Sequence, residues 1–539
     1  MKIEGNIIDI HQRQIYPAEV VIKDGLIRKI SRIQKKVEDY ILPGLIDAHV
    51  HIESSMVTPA AFAHAVVSRG TVAAVSDPHE IANVLGLKGI MYMIKDAAKV
   101  PVKIYFGAPS CVPATTFETS GAVLGPKEIE TLLEQPDIKY LSEMMNYPGV
   151  IYEDPDVLGK LEIAKRLGKP VDGHAPGLSG EMLRKYISGG ITTDHECSTL
   201  SEAKEKLALG MKVIIREGSA ARNLEQLKDL YRSDPGMIML CTDDIHPEML
   251  VSGHIDRLAA RLISDGFDLF DVIRSCTINP AKHYNLETGL LREGDAADFI
   301  ITDDYRKMRV IETWIDGRKV FDRGKVLFKY ALADPVNSFN CTEINETEIK
   351  VIPQKSTMHV IQASDGELIT REMLINVALK GILLPDIERD ILKIVVKDRY
   401  KDAPPATGFI NGFGMKKGAL ASSVAHDSHN IIAIGTNDED IVRAINEIIR
   451  LKGGLAVSDQ NMISSLQLDI AGLMSSRQIE IVAEKYESLT EQVKELGCGM
   501  SSPFMTLSFM ALLVIPELKM SDRGLFNGGI FKHVPLFTD

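Results

Sequence analysis

Between residues 45 and 285, short apolar runs of strand length alternate with amphipathic helical segments, and no other feature constrains the chain as tightly. The strand-like runs fall at about 45–52, 71–77, 102–108, 138–144, 170–175, 191–195, 211–217 and 236–243. The segments between them carry helix periodicity, as in Leu161-Glu162-Ile163-Ala164-Lys165-Arg166-Leu167. Several stop at a glycine (Gly70, Gly168, Gly189, Gly210), where a left-handed cap is expected. Eight successive β/α units imply a parallel (β/α)8 TIM-like barrel, with its chemistry at the C-terminal ends of the strands.

The flanks read differently. Residues 1–44 alternate apolar and polar, and Glu19–Ile30 reads as a hairpin with Asp24-Gly25 at its tip. Pro43-Gly44 punctuates the entry to the first barrel strand. A similar strand pattern returns in Ala297–Ile301 and Thr313–Val320. Neither flank can bury a core alone, so 1–44 and 286–340 are expected to join as one small β-sandwich around the 45–285 barrel. The remainder, 341–539, reads as a C-terminal α/β domain with an amphipathic helix at Asp438–Arg450. Pro404-Pro405 and the glycine-rich Gly408–Gly414 segment read as loops. A length of 539 residues suits roughly three domains.

The strand ends hold an unusual set of side chains. The first run carries His49 and His51, which share a face because residues i and i+2 of a strand do. Taken alone, that pair reads as two satisfied core histidines. The other strand ends change the reading: Asp77-Pro78-His79-Glu80 on the second, Glu143 on the fourth, His174 on the fifth, Asp194-His195-Glu196 on the sixth and Asp243-Asp244 on the eighth. Imidazoles mixed with carboxylates suit Zn, Mn or Fe better than Mg or Ca. In this arrangement His49, His51 and Asp243 hold one ion, His174 and His195 hold the other, and Glu143 bridges. Two metals sharing a carboxylate would polarise a substrate and supply hydroxide near neutral pH, with Asp243 taking the proton from the attacking water.

Composition excludes other classes. The six cysteines are scattered with no C-x-x-C pair, which argues against a disulfide framework and for a reducing, cytoplasmic setting. A net charge of −13 with no long basic block argues against nucleic acid and anionic membrane. The apolar run Phe509–Ile515 falls far short of the ~20 residues of a membrane helix and reads as core. A small molecule is the expected partner.

These motifs together resemble the amidohydrolase superfamily, through Pro43-Gly44-Leu45-Ile46-Asp47-Ala48-His49-Val50-His51, single histidines on the fifth and sixth strands, and aspartate on the eighth. Within it the chain is similar to the bacterial, binuclear adenine deaminases. That likeness rests on His49–Ser55, Ser76–Glu80, Gly173–Gly177, Cys241–Asp244 and the C-terminal Val514–Leu525. Many superfamily members bridge their metals with a modified lysine on the fourth strand; here Glu143 stands there, as in the adenine deaminases. The resemblance implies hydrolysis of adenine to hypoxanthine and ammonia by a metal-activated hydroxide, in purine salvage. It favours two Mn2+ ions, with Fe2+ or Zn2+ as alternatives. Analogy with other barrels suggests a homodimer.

The same resemblance calls for a proton donor to the ring nitrogen beside the attacked carbon, and Glu80 is the candidate, although acids also start helices. Asp244 and His79 are candidates for substrate binding, with a solvated acid and a loop histidine as the plainer readings. Ser54 and Ser55 are left as loop residues. The Ala425-His426-Asp427-Ser428-His429-Asn430 segment either leans over the barrel mouth or is a plain polar turn. His51-Ile52-Glu53 matches half of the cytidine-deaminase signature but lacks its P-C-x-x-C partner. Two other activities fit less well: a binuclear hydrolase of a cyclic amide or imide, and a non-catalytic scaffold, which would be expected to lack several ligands.

Overall fold

The computed structural model describes residues 1–460 and 462–539. The chain opens with β1 (Lys2–Asp9), β2 (Gln14–Lys23), β3 (Leu26–Arg32) and β4 (Tyr40–Pro43). Lys23 pairs with Leu26 across Asp24-Gly25, both at positive φ, the turn that suits the right-handed twist of a hairpin.

The barrel strands follow: β5 (Leu45–Val50), β6 (Thr71–Ser76), β7 (Lys103–Ala108), β8 (Ile138–Met144), β9 (Val171–Gly173), β10 (Thr193–Asp194), β11 (Lys212–Arg216) and β12 (Ile238–Cys241). All neighbouring pairs are parallel, in two arcs, β5 to β9 and β10 to β12. Bridges Val171–Ile191 and Val50–Asp243 join the arcs and close the barrel. Strands covered on both faces read as continuous apolar runs, which is why β6 and β12 are buried throughout. Gly70, Gly168 and Gly210 take the expected positive φ. Gly189 does not: its φ is −67°, and the left-handed position is Gly190, one residue later.

After the barrel come β13 (Phe299–Asp304), β14 (Arg309–Ile315), β15 (Arg318–Asp322) and β16 (Lys325–Val326). β13 pairs antiparallel with β4, so both flanks form one eight-stranded sheet in the order β16-β15-β14-β13-β4-β1-β2-β3. The sheet folds over on itself: Ile27 N–H donates to Asp295 O and Ala297 N–H to Gly25 O. Val20, Ile27, Phe299 and Trp314, drawn from both flanks of the barrel, share its core.

The C-terminal region is built on β17 (Thr357–Gln362), β18 (Arg371–Asn376), β19 (Ile391–Lys397), β20 (Ala406–Asn411), β21 (Ala419–Ser422), β22 (Ile431–Gly435), β23 (Gly454–Asp459) and β24 (Met462–Gln467), ordered β18-β17-β20-β19-β22-β21-β23-β24. Helix Asp438–Leu451, capped by Asn437, buries Ile441, Ala444, Ile445 and Ile448 against this sheet. One sequence expectation fails here. Gly408-Phe409-Ile410-Asn411 is not a loop but the last four residues of β20, between β17 and β19, with Phe409 and Ile410 fully buried. Glycine suits it because a Cβ at Gly408 would meet Met520 Sδ at 3.3 Å.

Candidate active site

Barrel closure does more than complete a sheet. Asp243 N–H donates to His49 O at 3.0 Å, and His51 N–H donates to Asp243 O at 3.2 Å. These bonds hold Asp243 at a φ of 53°, a conformation non-glycine residues rarely take outside over-determined sites. First and last strand ends thus place His49, His51 and Asp243 in one cluster.

The side chains converge in a buried cradle. His49 Nε2 and His51 Nε2 are 3.1 Å apart, and Asp243 Oδ1 lies 3.6 and 3.3 Å from them. On the other side, Glu143 Oε2 stands 2.8 Å from His174 Nδ1 and 3.1 Å from His195 Nε2. Glu143 Oε1 faces His51 Nε2 at 3.5 Å, so this one carboxylate spans both groups. All six residues are less than a tenth exposed.

Electrostatics supports a cation in this cradle. Burial opposes charge on Glu143, but His174 and His195 hold it well below the usual carboxylate range. Burial likewise opposes charge on Asp243, where Arg216 and His51 prevail. Burial, with His195 and His51 alongside, lowers His49 to about 3, so its imidazole stays neutral, the form that binds metal. His195 is pulled the other way: burial resists, yet Glu143 raises it to about 9. Ionised carboxylates at this spacing demand positive charge, from protons or from a cation that displaces them. His49 Nδ1, His174 Nε2 and His195 Nδ1 are buried without a hydrogen-bond partner. This donor set fits a binuclear metal site of mixed N/O character.

Further groups rim the cradle. His79 Nδ1 lies 3.3 Å from Asp77 Oδ2 and 3.5 Å from Glu143 Oε1, which gives His51, Asp77, His79 and Glu143 a shared focus that the sequence reading did not form. Glu80, in the first turn of helix His79–Leu85, and Asp244 both contact Ser54 Oγ, at 3.0 and 2.6 Å. Burial raises the pKa of Glu80 above the ordinary carboxyl range; His426 opposes and Asp244 adds to the rise. His79, Glu80 and Asp244 line a small concavity above the cradle.

Two family models match the chain: the amidohydrolase family over residues 40–320 and the adenine deaminase C-terminal domain over 367–532. The adenine deaminase of Methanosarcina mazei is 51% identical, over 100% of both chains. The chain belongs to the adenine deaminase family. The adenine deaminase of Salinibacter ruber is 48% identical over 100% of this chain and 99% of its own, and that of Borreliella burgdorferi 46% identical over 98% of each.

Several residues of this adenine deaminase family site escaped the sequence reading. Arg216, at the end of β11, reaches Glu196 Oε1 at 2.5 Å and also pairs with Asp243 Oδ2. An arginine ending the apolar run Val213-Ile214-Ile215 was the available signal. Ser54, set aside as a loop residue, links Glu80 to Asp244. From the C-terminal region, His426, Asp427, Phe509 and Leu512 also line the concavity, so the polar 425–430 segment does lean over the barrel mouth. Among the described residues, no helix is long and apolar enough to cross a membrane.

Proposed function

We propose that the chain hydrolyses adenine to hypoxanthine and ammonia at the barrel mouth, in purine salvage. The observation that carries this reading is the meeting, in one buried concavity, of a cation cradle with the Ser54-linked carboxyls of Glu80 and Asp244. On this reading His49, His51 and Asp243 would hold one divalent ion and His174 and His195 a second, with Glu143 in reach of both groups. Two such ions, when bound, polarise the substrate and supply hydroxide near neutral pH. Mn2+ is the expected metal, with Fe2+ or Zn2+ also suited to these donors.

The chain's own residues manage the protons. Hydrolysis needs one proton on the ring nitrogen beside the amino-bearing carbon and one on the departing amine. Glu80, whose buried carboxyl keeps its proton more firmly than an exposed one, donates the first. Asp243 begins ionised, accepts one proton from the attacking water and delivers it to the amine. The second water proton leaves the new oxygen as the ring carbonyl forms and restores the acid form of Glu80. Asp244 accepts a hydrogen bond from a purine N–H, and His79 helps to orient the ring.

We read the work as divided among 1–44 with 286–340, which braces the barrel, 45–285, which carries the cradle, and 341–539, which covers it. Unpaired cysteines support a reducing cytoplasmic setting, and a homodimer is expected by analogy. The test is ammonia release from adenine by protein stripped with chelator and reloaded with Mn2+. Turnover lost and restored supports both reaction and cradle. Metal uptake without ammonia release would retire adenine and turn attention to cyclic amides.

A further inference from the structure

We propose that His426 is a substrate-binding residue, donating a hydrogen bond to an acceptor nitrogen of the purine, so that recognition is shared between the barrel and the C-terminal region. The inference rests on the adenine reading above and extends it to a residue outside the barrel.

His426 sits on the segment between β21 and β22 and is 4% exposed. Its backbone N–H donates to Ser508 O at 3.2 Å, and its ring lies against Phe509 with centroids 5.4 Å apart. The segment is held firmly: Asn430 Nδ2 donates to Thr119 O at 2.9 Å, and Tyr400 Oη donates to Ser428 O at 2.6 Å. The imidazole is therefore delivered to the barrel mouth by fixed contacts on both sides.

Its nitrogens are underused by the protein. Nδ1 stands 3.6 Å from Glu80 Oε1 and 3.7 Å from Asp427 Oδ1, both beyond good hydrogen-bond distance. Nε2 is buried with no partner. A buried polar atom left unpaired is costly, and a binding site is where such a cost recurs, because the ligand removes it. Glu80, Asp244 and His426 each bring one polar atom within 4.8 Å of the others, beside the cradle.

The chemistry of the three groups is complementary. A carboxylate only accepts hydrogen bonds and a protonated carboxyl has one proton to give, whereas an imidazolium donates from both nitrogens. Adenine presents N–H groups and several acceptor nitrogens, and the single proton of Glu80 serves only the nitrogen beside the attacked carbon. Burial opposes charge on His426, but Glu80, Asp427 and Asp244 raise its pKa to about 9, which keeps both donors in place at neutral pH. His246 and His429 are further titratable groups close by. Phe509 and Leu512 supply apolar cover for the ring faces.

The test combines variants with analogues of adenine that lack one acceptor nitrogen. In His426→Ala, and in His426→Phe, which keeps an aromatic ring against Phe509, kcat/KM for adenine should fall at least about tenfold, mainly through KM, with metal per chain unchanged. In the unaltered holoenzyme, 3-deazaadenine or 7-deazaadenine should inhibit with an affinity about tenfold weaker than adenine's. That penalty should shrink below about twofold in either variant, since a missing acceptor cannot be felt by a missing donor. Unchanged KM in both variants, or an undiminished penalty, would overturn the role of His426 while leaving the reaction standing. Analogues that bind the unaltered protein as well as adenine does would overturn it without any variant. No ammonia from adenine with the unaltered protein would bring down the adenine reading, and this inference with it.

Discussion

Ser54 Oγ lies 2.6 Å from Asp244 Oδ1 while also standing 3.0 Å from Glu80 Oε1. A hydroxyl carries one proton, so Ser54 donates to only one of these carboxyls. Ser54 donates to Asp244 over the shorter contact, and Glu80 Oε1 is the other acceptor within its reach. This arrangement agrees with the upward shift that burial imposes on Glu80. A carboxyl that loses this donor to its neighbour gains less from ionising.

Replacing Glu80 with Gln should lower kcat for ammonia release by about 10²–10⁴-fold, the usual range for a lost general acid. Metal per chain should stay at the unaltered level, since Glu80 is outside the proposed ligand set. Turnover near normal would remove Glu80 from the mechanism.

Ser54→Ala should leave both carboxyls in place but free Glu80 of its anchor. We expect a fall in kcat of about tenfold, the scale of one hydrogen bond to a charged or acidic group. Steady-state kinetics on the metal-replete variant checks it, and an unchanged kcat would count against the Ser54 link.

The pH profile follows from Glu80 acting as an acid. A donor works only while protonated, so kcat should decline as pH rises through a pKa lying above the ordinary carboxyl value. His426 lowers that pKa, so removing its charge in His426→Ala should move the alkaline limb to higher pH. A limb that stays fixed, or moves down, would contradict the coupling.

Lys206 joins two histidine-bearing strand ends. It donates at 2.8 Å to Ala175 O, beside His174, and at 2.8 Å to Asp194 Oδ2, beside His195. Lys206→Met would leave the fully buried Asp194 carboxylate without its cation. Breaking a buried pair on one side costs about 3–5 kcal/mol. Denaturant unfolding should show that loss, together with weaker metal retention. The Asp194 contribution has a definite sign: its pKa is lowered, Lys206 outweighing the burial that opposes charge. The unaltered protein should therefore hold this stability above the ordinary aspartate pKa and lose it as pH falls through the depressed value.

Much of the cradle was legible in the sequence because barrel geometry turns strand ends into a shared location. Once the runs ending in His49, Glu143, His174, His195 and Asp243 are read as successive parallel strands, their side chains have one place to meet. Glu80 and Asp244 were legible by the same logic. Ser54 and Arg216 were not singled out: serine is common in loops, and an arginine at a strand end is distinctive only once Asp243 and Glu196 are known to face it.

The sequence by itself determined the eight-strand alternation, the two-residue hairpin at Asp24-Gly25 and the donor types available for a cation, because these follow from local periodicity and from the chemistry of single side chains. Only the tertiary structure decided that β4 pairs with β13, nearly 260 residues apart in the numbering of Leu42 and Ile300, and that His426 meets Glu80. It also decided that Gly408–Asn411 is a buried strand. Such pairings are set by which surfaces bury one another across long stretches of chain, and a one-dimensional pattern carries no record of that distance.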